Sequence, residues 1–161
     1  MKRLAIAVTV LAIGAAGCGS KSPASPSTTK IFTVQLSALN EVPPVTNAEA
    51  TARGTAVITI DSVANTIDFN VSLNSFPAGS TVNIAHIHGP NAPVGSNAGV
   101  YVSTTLTPGN VTLTNGAGTF TFLQIKATAD QVAQILANPS NFYFNVHSTL
   151  NGGGVVRGWL Q

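Results

Sequence analysis

Residues 66–73 carry the clearest alternation in the chain. Ile67, Phe69, Val71 and Leu73 take every second place, and Thr66, Asp68, Asn70 and Ser72 fill the gaps. A period of two puts one set toward a core and the other toward water, as in a half-buried strand. The preceding run GTAVITID (54–61) is joined to it by the turn DSVAN, and the pair reads as an antiparallel hairpin. IFTVQLSA (31–38) alternates in the same way, with Phe32, Val34 and Leu36 on one face. TVNIAHIHG (81–89), VYVSTTL (100–106), AGTFTFLQIKA (117–127), NFYFNVHS (141–148) and GVVRGWLQ (154–161) give further strands. In NEVPPVTNAEA (40–50), Pro43 and Pro44 lack amide donors, so this stretch is a loop or an extended edge segment.

One segment breaks the rhythm of two. TADQVAQILANPS (128–140) places Val132, Ile135 and Leu136 at helical spacing. Thr128 and Gln131 stand at the separation of a capping box, and Pro139 ends the run. The pattern therefore predicts an all-β domain of about eight strands with one short helix, closed as a sandwich or barrel.

The first thirty residues follow a different logic. Lys2 and Arg3 precede an apolar stretch from Leu4 to Ala16, which is short of the ~20 residues that a membrane span requires. It fits a secretory signal over residues 1–17. Cys18, the single cysteine, follows directly. The motif AAGC (15–18) resembles a bacterial lipobox, with Ala15 where leucine is more usual. That resemblance implies lipidation of Cys18 and a membrane as partner. The implied location is the cell envelope, at the outer membrane, facing the periplasm or the cell surface. Residues 18–30, rich in Ser, Pro and Thr, read as a flexible tether, and the folded domain occupies 31–161.

Removing the signal changes the charge. The formal +2 rests on Lys2 and Arg3. Beyond them, Lys21, Lys30, Arg53, Lys126 and Arg157 balance Glu41, Glu49, Asp61, Asp68 and Asp130. A neutral chain without a basic patch excludes nucleic acid as a partner. Ordinary catalytic constellations are missing too. There is no Gly-x-Ser-x-Gly elbow, no nucleophilic cysteine after lipidation and no phosphate-binding loop. The sequence points away from an enzyme without deciding the matter.

The chemistry lies in three histidines. His86 and His88 share one face of a strand, about 7 Å apart at Cα for a rise of ~3.3 Å per residue. His147 shares its strand face with Tyr143 and Asn145, while Phe142, Phe144 and Val146 point the other way. There is also an internal echo. AHIHGP…GSNAGVYV and FNVHST…NGGGVVRG both run strand, histidine, glycine-rich loop, strand. If these hairpins lie side by side, His147 completes a three-histidine metal site with an open fourth position, suited to copper or, alternatively, zinc. The competing reading makes the histidines fasteners of the loops beside them, in a metal-free adhesion or protein-interaction domain. A copper-dependent redox enzyme is a third reading. Glu41 and Arg157 are scarce charges at the first loop and the last strand. They read as a structural pair, or Glu41 serves as an extra ligand or as the acceptor of a histidine N–H.

Several motifs in order resemble the CHRD domain: LSALNEVPPV, GTAVITID, AHIHGP with GVYV, TADQVAQIL and YFNVHSTLNGGGVVRGWL. They span nearly all of residues 33–161. The resemblance implies an antiparallel Greek-key sandwich or barrel and leaves the activity undefined. The HIH strand is also similar to the His-Val-His strand of copper–zinc superoxide dismutases. The chain has neither a bridging histidine nor an intramolecular disulfide, so dismutase activity is not implied.

Overall fold

The computed structural model describes residues 28–161. The signal segment, Cys18 and most of the proposed tether lie outside the described residues. The strands are β1 (Thr29–Ser37), β2 (Arg53–Asp61), β3 (Thr66–Asn74), β4 (Thr81–His88), β5 (Val100–Ser103), β6 (Val111–Thr112), β7 (Gly118–Lys126), β8 (Tyr143–Ser148) and β9 (Val156–Trp159). The helix α1 (Ala129–Ala137) carries the capping box: Thr128 and Gln131 each accept from the other's backbone N–H. Among the described residues, no helix is long and apolar enough to cross a membrane.

All strands join one antiparallel sheet in the order β5-β4-β8-β9-β1-β2-β3-β7, with β6 pairing β4 beside that path. The all-β prediction therefore holds, and the closure is a single curled sheet, a half-barrel. Alternation drives the curl. Phe32, Val34, Leu36, Ile58, Ile60, Phe69, Val71 and Leu73 are all buried on the concave side. Phe69 on β3 and Phe144 on β8 lie four strands apart in the order, yet their rings stack at 5.5 Å. Burying this surface at ~25 cal/mol per Å² is the main term holding the sheet closed.

Two boundaries differ from the sequence reading. β1 begins at Thr29, so the end of the proposed tether is already strand. The segment after the TPGN turn contributes the short strand β6, which two residues are too few to announce by period. The 40–50 segment is a loop that follows a 3-10 turn at Ala38–Asn40.

The sheet has a second buried layer. All six residues of β8 are buried, although only every second one faces the core. The outer side of β4, β8 and β9 is covered by the loops between β1 and β2, β4 and β5, and β8 and β9. Register sets the residues of that layer opposite one another: His86 to Asn145, His88 to Tyr143, Ile84 to His147, Asn145 to Arg157 and Tyr143 to Trp159.

Candidate metal centre

β4 and β8 are neighbours in the sheet, and this adjacency brings the three histidines together. Ring centroids lie 5.5 Å apart for His86–His88, 5.1 Å for His86–His147 and 5.9 Å for His88–His147. One nitrogen from each ring lies within 4.8 Å of the others. A tetrahedral centre with metal–nitrogen bonds of ~2.1 Å needs nitrogens about 3.4 Å apart, so the rings would draw closer on binding an ion. The side chains are nearly sealed, with exposures of 9%, 7% and 6% for His86, His88 and His147.

Hydrogen bonds decide which nitrogens are free. His88 Nδ1 donates to the Ala98 carbonyl at 2.9 Å, and His147 Nδ1 donates to the Gly152 carbonyl at 3.0 Å. A carbonyl only accepts, so in the neutral ring the proton sits on Nδ1 and the lone pair on Nε2. Among the described residues, Nε2 of His88, Nε2 of His147 and Nδ1 of His86 are buried with no hydrogen-bond partner. Buried polar atoms without partners cost free energy unless something binds them. The internal echo has a physical basis here: His88 and His147 are each held by a carbonyl of the loop that follows its own strand.

Burial favours the uncharged rings that a metal requires. It pushes the His86 imidazole from 6.5 down to about 4, and the neighbouring His147 and His88 add to the shift. His88 is lowered mainly by burial, against the opposing bond to Ala98. His147 is lowered by burial, against the bond to Gly152.

Arg157 is fully buried beside this cluster. Its Nε donates to the Asn40 carbonyl at 2.6 Å, and Nη1 donates to the Ser96 carbonyl at 3.1 Å and to Asn97 Oδ1 at 2.8 Å. Glu41 Oε2 stands 3.7 Å from Arg157 Nε. Burial pushes the Glu41 carboxyl up to about 7, against the pull of Arg157 and a hydrogen bond from Asn145. Gly154 has φ +133°, and a Cβ there would fall 2.6 Å from Asn145 Nδ2 and 2.8 Å from Glu41 Oε2, so only glycine lets the last loop close over the pair.

The structure thus brings His86, His88 and His147 into one cluster and sets Glu41 against Arg157 next to it. Cys18 lies outside the described residues. Two members of the layer went unassigned from sequence. Tyr143 stacks on His88 with centroids 4.8 Å apart and planes 3° apart. Asn145 sits between the cluster and Glu41. Their place on the His147 face of β8 was the available signal.

A half-barrel whose outer face holds a buried set of three imidazoles defines a compact all-β module with a candidate ligand centre. Residues 32–160 match the family model described as the CHRD domain, and the chain belongs to that family. Comparison with curated proteins and with solved structures gave no match.

Proposed function

We propose that this protein is a cell-envelope binding module, tethered through lipid on Cys18, that holds one copper or zinc ion on His86, His88 and His147. One observation carries the reading: three buried imidazole rings, each with an unpartnered nitrogen, offer one nitrogen apiece within 4.8 Å of the others. The open fourth position suits binding and delivery of an ion. A metal-free interaction domain would use the histidines as loop fasteners. That role explains the Nδ1 bonds of His88 and His147, but it leaves His86 Nδ1 with nothing to fasten among the described residues.

Untagged protein, stripped with chelator and dialysed against copper or zinc, tests this by elemental analysis. The expected result is one ion per chain, lost in His86→Ala with the circular dichroism unchanged. Absence of a retained ion in the wild-type protein refutes the proposal.

A further inference from the structure

The surroundings of the three rings distinguish between ions by charge. The donor set is neutral, and so is everything bonded behind it. The rings of His88 and His147 lean on backbone carbonyls rather than on carboxylates. The two buried carboxylates of the covering loops face other partners, although Glu41 Oε1 has none among the described residues. Glu49 Oε2 accepts from Ser148 Oγ and from Asn151 Nδ2. Glu41 faces Arg157 and Asn145.

The nearest fixed charge is a cation. The Arg157 guanidinium stands 4.7 Å from the ring centre of Tyr143, and that ring stacks on His88. Because β4 and β9 flank β8, Tyr143 is layered between ligand and guanidinium. No anionic side chain joins the three histidines in the group that could ligate an ion, among the described residues.

An ion entering this layer loses its hydration with no anionic ligand among its donors to replace it. The cost of that transfer rises with the square of the charge, so a dication is penalised about four times as heavily as a monocation. Zinc on three histidines completes four ligands with a water or substrate in the last position, whereas copper in its reduced, closed-shell state is satisfied by two or three nitrogen donors and needs no such fourth ligand. From these observations, and resting on the metal-site reading above, we propose that the site is selective for monovalent copper, Cu(I), over Zn(II) and Cu(II). Selectivity comes from charge and coordination number, with the Arg157 guanidinium behind Tyr143 setting a positive charge close to the donors.

The test uses the apo protein and the metal ions alone. Cu(I) is titrated anaerobically against bicinchoninate as competing chromophore. Zn(II) and Cu(II) are titrated against chelators of known affinity at the same pH. The expected outcome is one Cu(I) per chain, bound at least ~100-fold more tightly than either dication. His86→Ala should abolish it, while Lys126→Ala, on the far edge strand, should leave it intact. Binding of Zn(II) or Cu(II) as tight as that of Cu(I), and also lost in His86→Ala, overturns the selectivity while sparing the metal site. Binding of none of the three ions overturns both. An X-ray absorption edge on protein loaded with Cu(II) and ascorbate and then desalted into air-equilibrated buffer gives an independent readout: a persisting Cu(I) edge supports the proposal, and reoxidation by the dissolved oxygen to a Cu(II) edge contradicts it.

Discussion

His86 offers a direct measure of how dry the candidate centre is. In the unfolded chain its imidazole titrates near 6.5, and in the folded, metal-free protein burial lowers it to about 4. A histidine whose folded value is depressed leaves the unfolded state to bind the proton first. Its contribution to stability is therefore complete above pH ~6.5 and falls as the pH drops from there toward 4. Linkage gives a loss of about 2 kcal/mol between pH 8 and pH 5, and about 3 kcal/mol once the folded ring is also protonated.

Glu41 works in the opposite direction. Its carboxyl is raised to about 7, so the unfolded chain releases the proton before the folded one does, and stability rises as the pH falls. Over the same interval it returns roughly 2–3 kcal/mol, which offsets the His86 loss in the wild-type profile. A difference measurement separates them. Urea unfolding of wild type and His86→Leu, both with chelator present, should show the wild type losing about 2 kcal/mol relative to the variant on going from pH 8 to pH 5. For a domain of this size that amounts to roughly 8 °C in the relative melting temperature. Parallel profiles for the two proteins would show that water reaches His86 freely, and the account of a desolvated cluster would fail.

Arg157→Met should cost about 3–5 kcal/mol, because it strands the Glu41 carboxyl and the carbonyls of Asn40 and Ser96 in a buried layer. Denaturant titration checks this, and a loss below ~1 kcal/mol would show that the pair is dispensable. Cys18→Ser should move the protein from the membrane fraction to the soluble fraction of the cell envelope with its fold intact, as fractionation and circular dichroism would report. Unchanged membrane association would remove the lipid anchor from the proposal.

The concave half of the fold was legible because a period of two is written into β1, β2, β3 and β8. Phe32, Val34 and Leu36 share a face in sequence and are buried together in the structure. The helix was legible through Thr128 and Gln131, whose reciprocal bonds are local. The outer layer was only half legible. Period placed His86 with His88, and His147 with Asn145 and Tyr143, but the pairing of β4 with β8 joins segments some sixty residues apart and has no local signal. The same holds for Arg157, whose acceptors at Asn40, Ser96 and Asn97 come from irregular loops. Loop-to-strand contacts of this kind follow from the closed fold and not from any spacing along the chain.

The structural and ligand readings of the histidines, set against each other in the sequence, are compatible in the fold. In His88 and His147 the two ring nitrogens have separate tasks. Nδ1 secures the loop that covers the site, and that bond fixes the tautomer that turns the Nε2 lone pair toward the cluster. Removing either ring therefore disturbs loop and centre together, and a loss of binding in those variants cannot tell fastening from ligation. His86 is different, since its buried Nδ1 secures nothing among the described residues. An unsatisfied nitrogen at that position costs stability in the protein without its ion, and a bound ligand offsets it. His86 is consequently the residue at which the two readings separate, and a variant there that gains stability while losing its ion would mark the site as one kept for binding.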